Sequence, residues 1–105
     1  MGSQELADKI KKILDDKKGI DSEIIYVGEK TTLADYFVLV TGTSSTHVKA
    51  LAGEVEAKLS EEGIVPLNFE RKMSNSWIAL DYKDVIVHIF SQEARELYDL
   101  EELWK

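Results

Sequence analysis

Tyr36-Phe37-Val38-Leu39-Val40-Thr41-Gly42-Thr43-Ser44-Ser45 is the stretch that decides the fold class of this chain. From Phe37 to Val40 every position is apolar, where a strand with one wet face would alternate, so the run reads as a strand buried on both sides and central in its sheet. A glycine and a row of hydroxyl residues end it. Val48, Leu51, Ala52, Val55 and Leu59 then recur at helical spacing up to a stop at Gly63. A buried strand feeding an amphipathic helix is the start of an α/β layer.

Toward the N-terminus, Ile24 to Val27 reads as a further strand. Before it, Leu6, Ile10, Ile13 and Leu14 mark one face of a helix from Ser3 to Lys18, with Ser3 as its N-cap and Gly19 at its C-terminal cap. Toward the C-terminus, Val65 to Phe69 gives a short third strand, which a right-handed crossover sets parallel to the second within a shared sheet. Trp77 to Asp81 and Asp84 to Phe90 form a hairpin about a two-residue Tyr82-Lys83 turn. That register pairs Asp81 with Asp84, Ala79 with Ile86 and Trp77 with His88. Ser91 caps a last helix through Ala94, Leu97 and Tyr98, with a restart at Asp99 and an end at Trp104. Pro66 is the only proline and no linker or repeat divides the chain. Residues 1–105 are therefore expected to form one α/β domain. Its mixed sheet has five strands, its helices lie mainly on one face, and the order is α-β-β-α-β-β-β-α.

Alternation along the hairpin sorts its two faces. Ile78, Leu80, Val85, Val87 and Ile89 form an aliphatic side that packs under helices. Trp77, Ala79, Asp81, Asp84, Ile86, His88 and Phe90 form the other, mixing aromatics with ionisable groups. Two readings stand side by side for this second face. It is a recognition surface with aromatic anchors, or it is the floor onto which the C-terminal helix folds. Trp104, a tryptophan at a chain end, reads first as docked on its own core and second as a partner contact.

Composition narrows the chemistry. The absence of cysteine removes disulfides, thiolate metal sites and a thiol nucleophile, and it suits a reducing cytosol. No apolar run reaches the roughly 20 residues of a membrane helix, and no secretory signal pattern opens the chain, so a soluble cytoplasmic protein is expected. A net charge of −7 repels nucleic-acid phosphates and favours a basic protein partner, although solubility alone also accounts for it. His47 and His88 are too few for a histidine-rich metal site, and no cofactor is expected. The most enzyme-like feature is the loop from Thr41 to Thr46 at a helix start, which could hold a nucleotide phosphate. It lacks a Walker lysine and the G-x-G-x-x-G spacing, so its hydroxyls read as helix caps. Ser44, His47 and Asp35 compose a triad only on paper, and Asp81 with His88, four places apart along the expected ladder, makes a poor acid/base pair.

Three stretches together resemble the RsfS (Iojap-related) family of ribosomal silencing factors. They are Asp35 to Ser45 followed by His47-Val48, then Trp77-Ile78-Ala79-Leu80-Asp81 with Asp84-Val85-Ile86-Val87-His88, then Arg95 to Trp104. The resemblance runs over nearly the whole chain. It implies a mixed-sheet fold related in topology to nucleotidyltransferases but without their catalytic carboxylates. It also implies a non-enzymatic role: binding the large-subunit ribosomal protein numbered fourteen, blocking subunit joining and lowering translation when nutrients are short. Carried over by position, the partner-binding motif residues are Trp77, Asp81 and His88 on the hairpin and Tyr98, Leu100, Glu101 and Trp104 at the C-terminus. Homodimerisation is left open. The sequence departs from the family pattern at Thr46, where a basic residue is common, and at Arg71 and Lys83, where glycine is common. At Lys83 the departure implies a strained turn or another register.

Overall fold

The computed structural model describes residues 2–67, 71–74 (backbone) and 76–104. In chain order they form α1 (Ser3–Asp16), β1 (Ile20–Tyr26), β2 (Tyr36–Gly42), α2 (Ser45–Glu61), β3 (Arg71–Ser74), β4 (Trp77–Asp81), β5 (Val85–Ser91), α3 (Gln92–Tyr98) and α4 (Leu100–Trp104). The strands make one sheet in the order β1-β2-β5-β4-β3. β2 pairs with β5 in parallel, and the other neighbours are antiparallel. The α/β class and the mixed sheet are as the sequence indicates. β2 is an interior strand buried on both faces, but β5 holds the middle of the sheet.

Helix ends differ from expectation for local reasons. Ser3 is the first helical residue of α1, preceded by Gly2 in an extended conformation, and so it does not cap. At the other end the left-handed residue is Lys18, with φ +63°, rather than Gly19. Gly19 is needed for close approach instead: a Cβ there would stand 2.5 Å from Val40 Cγ2 and 2.9 Å from the Leu14 carbonyl oxygen. β1 begins four residues earlier than expected, because a register irregularity between Ile20 and Glu23, with Asp21 at φ +51°, breaks the apolar alternation without ending the pairing.

The third strand is Arg71–Ser74 at the sheet edge, not Val65 to Phe69. Residues 65–67 are not strand, and Asn68 and Phe69 lie outside the described residues. Pro66 has no N–H to give to a ladder, and Val65 and Leu67 are exposed where a covered strand would bury them. Leu67 N–H instead donates to the Asp81 carbonyl. Through the antiparallel steps β5–β4 and β4–β3, β3 runs in the same direction as β2 without being its neighbour.

The hairpin register is two residues from the expected one: Trp77 pairs with Phe90, Ala79 with His88 and Asp81 with Ile86. The turn is Lys83-Asp84, closed by Tyr82 N–H to the Val85 carbonyl at 2.9 Å. Lys83 does take φ +74°, and the Asp81 carboxylate steadies it by accepting from Lys83 N–H at 2.8 Å. A shift of two preserves side-chain parity, so both faces keep the residues that alternation gave them.

Two layers cover the sheet. α1 and α2 lay Ile10, Leu14, Val48, Leu51, Val55 and Leu59 on Val38, Val40, Ile78, Leu80, Val85, Val87 and Ile89. Ion pairs Lys9–Glu62 and Lys17–Glu54 tie the two helices together. The opposite face holds a smaller cluster of Ile25, Val27, Ala34, Phe37, Leu39, Phe90 and Ala94, with Trp77, Ile86, Leu100 and Trp104 packed against it. The C-terminal segment therefore folds over the mixed face. Among the described residues no helix is long and apolar enough to cross a membrane.

Candidate functional site

At the strand-to-helix loop, backbone and side chains satisfy one another. Ser44 is the N-cap of α2, its Oγ accepting from His47 N–H at 3.1 Å. Thr43 N–H donates to His47 Nδ1 at 2.9 Å, which leaves the ring proton on Nε2 to donate to the Lys17 carbonyl at 3.0 Å. His47 is thus a brace between α2 and the end of α1, and Ser44 caps α2. Gly42 is small for packing, since a Cβ there would lie 2.9 Å from Val48 Cγ2. Among the described residues no group of three His, Asp or Glu side chains could hold a metal. Millimolar ATP or GTP with magnesium is expected to leave the melting temperature unchanged, and a reproducible rise of several degrees would restore the nucleotide reading.

The mixed face is organised around Trp77. Its indole N–H donates to His88 Nδ1 at 3.1 Å, and its ring lies 5.2 Å from Phe90 and 4.7 Å from Tyr98. Alternation on β4 and β5 puts Trp77, His88 and Phe90 on this side, and the end of α3 brings Tyr98 over them. His88 is 8% exposed and meets Phe37 edge to face at 4.8 Å. Burial pushes its imidazole down to about 4, so it is neutral near pH 7 with its proton on Nε2, which has no hydrogen-bond partner among the described residues. Trp104 closes the far side at 5.2 Å from Phe37.

Arg95 organises the C-terminal segment. It grips the Glu101 carboxylate through Nε at 3.0 Å and Nη2 at 3.3 Å, and Nη1 reaches Thr41 Oγ1 at 3.1 Å. Leu97 (77% exposed), Tyr98 (41%) and Leu103 (69%) remain at the surface, as do the carboxylates of Glu93, Glu96, Asp99 and Glu102.

A family model described as ribosomal silencing factor during starvation, RsfS, matches residues 1–105. The ribosomal silencing factor RsfS of Chromobacterium violaceum is 36% identical over 104 residues, spanning 99% of this chain and 85% of the relative. That of Haemophilus influenzae is 35% identical over 99 residues, spanning 94% and 97%. The chain belongs to the RsfS family. An X-ray structure of a Chromobacterium violaceum protein superposes with TM-score 0.92 at 36% identity, covering 99% of this chain and 87% of that one.

The RsfS motif residues divide by what they touch here. Trp77, His88, Tyr98, Leu100 and Trp104 meet in the aromatic cluster or pack against its apolar surround. Asp81 stands apart at the hairpin turn, bonded to Lys83 N–H. It lies two ladder places from His88, not four, yet its carboxylate serves the turn. Glu101 is the counter-charge of Arg95. Reading the sequence alone misses Arg95, Phe37 and the exposed Leu97 and Leu103 as parts of this site. An arginine six residues before a glutamate, across a helix break, was the available signal for the first.

Proposed function

We propose that this RsfS protein binds the large ribosomal subunit through the ribosomal protein numbered fourteen and sterically blocks subunit joining, repressing translation under nutrient limitation. It works in the cytoplasm by occupancy, without cofactor or turnover, and its kinship with nucleotidyltransferases is one of topology. The observation that carries this reading, beside family membership, is the C-terminal surface: Leu97, Tyr98 and Leu103 stand exposed among Glu93, Glu96, Asp99 and Glu102. Apolar anchors with an acidic surround fit a basic protein better than an RNA backbone. Of the seven motif residues, Tyr98 makes the direct contact, and Trp77, Asp81, His88, Leu100, Glu101 and Trp104 shape and support the surface. A homodimer through the same apolar residues would compete with the ribosome.

Sedimentation with isolated large subunits tests the proposal, because occupancy of the subunit requires co-migration. Leu97→Asp is expected to weaken binding by at least about 1 kcal/mol with the melting temperature unchanged. Glu96→Lys with Glu102→Lys is expected to slow association with the isolated ribosomal protein, and the more so at low salt. An unchanged or faster on-rate for this pair would sink the acidic-surface reading.

A further inference from the structure

α4 has little to hold it by itself. It is five residues long, none of them fully buried, and it follows Asp99, a non-glycine residue held in the left-handed region at φ +43°. A helix this short has no independent stability, so tertiary attachments decide whether it is seated. Three are present. Trp104 and Leu100 pack on the Phe37 cluster, Lys30 Nζ donates to the Trp104 carbonyl at 2.8 Å, and Glu101 pairs with Arg95. The lysine bond is exposed and adds little.

The Arg95 attachment is of another kind. Its side chain is 11% exposed and rooted on α3. One guanidinium reaches Thr41 Oγ1 of β2 at 3.1 Å, the Ile20 carbonyl of β1 at 3.4 Å, Glu23 of β1 at 3.7 Å and both carboxylate oxygens of Glu101 on α4. A planar fork bonded to both oxygens of one carboxylate fixes direction as well as distance. It spans the Asp99 turn, so α3 and α4 are held as one piece against the β1–β2 side of the sheet.

We infer that Arg95 is a positioning residue for the docking surface: it keeps α4 seated across the Asp99 turn, and the seated fraction sets the affinity for the ribosomal partner. The inference rests on the docking function proposed above. Its physical content is that a partner which binds only the seated form has its apparent affinity reduced by the fraction of molecules not seated.

The test uses the full chain with Arg95→Ala, Arg95→Lys, Glu101→Gln and the surface variant Leu97→Asp. Without any partner, NMR reads seating through the Trp104–Phe37 ring contact and the backbone order of residues 100–104. Titration with the isolated ribosomal protein then reads affinity. Arg95→Ala should lose the ring contact and order in α4 while amide signals from β4 and β5 stay in place, and affinity should fall by about tenfold, in proportion to the seated fraction that remains. Arg95→Lys should fall between it and wild type on both readouts, because an ammonium keeps the charge and loses the fork. Leu97→Asp should lose affinity with α4 fully seated. Should Arg95→Ala prove unfolded, Glu101→Gln keeps every bond from Arg95 to the sheet and weakens only the grip on α4, and it carries the same expectations. For Arg95→Ala or Glu101→Gln, an unseated α4 with unchanged affinity overturns the inference, as does lost affinity with α4 still seated. Failure of the wild type to bind the ribosomal protein overturns the docking function itself, which the seating measurement distinguishes.

Discussion

Trp77→Ala is expected to lower the stability of this RsfS domain by about 3 kcal/mol, measured by urea unfolding at pH 7. Two losses add. The first is packing: the indole touches His88, Phe90 and Tyr98, and removing it opens a cavity between β4 and α3. The second is polar, because the indole N–H is the donor to His88 Nδ1, and without it a buried acceptor is left unpaired at a cost of about 1–3 kcal/mol. Trp77→Phe separates them, since a benzyl ring keeps most of the contact and none of the hydrogen bond. It is expected to retain roughly half the lost stability. The half-buried position of Trp77 sets the estimate at the lower end of the range for tryptophan truncation. A Trp77→Ala protein with wild-type stability and lost ribosome binding would make Trp77 a surface anchor instead.

Why the faces were legible and the pairings were not follows from parity. Hydrophobic alternation fixes which side of a strand a residue occupies, and that placed Ile78, Leu80, Val85, Val87 and Ile89 under the helices. Register within a face is set by the turn, and Lys83 at φ +74° needs an Asp81 carboxylate to hold it, a bond no pattern announces. α2 was readable from its five buried apolar residues and its Ser44 cap because both signals are local. β3 was not, because an edge strand of four residues, Arg71–Ser74, carries no apolar run, while Val65 and Leu67 around Pro66 do and are exposed. The motif residues likewise recorded family membership without saying what each side chain touches. Glu101 entered as a motif position, and only the fold shows that it pairs with Arg95.

His88 makes the stability of the domain fall in mild acid by a mechanism that carboxylates do not share. Its folded pKa, about 4, lies below the ordinary histidine value of 6.5, and burial is the cause. Between those two values the unfolded chain binds a proton that the folded chain refuses, so stability is complete above about pH 6.5 and is lost as pH falls toward 4. A difference of this size amounts to about 3 kcal/mol at its limit. Protonation would also convert Nδ1 from the acceptor of the Trp77 indole N–H into a donor, setting two donors against each other. Acidic groups add their own loss below about pH 5, so the informative quantity is a difference between proteins. Unfolding free energies of wild type and His88→Gln are to be compared at pH 7.5, 6.0 and 5.0. The variant is expected to be the less stable at pH 7.5, having lost the packing of the ring on Phe37. The gap should narrow steadily toward pH 5, because glutamine does not titrate. Parallel profiles at all three values would show that His88 keeps its ordinary pKa in the fold and that the aromatic cluster opens readily enough to admit a charge.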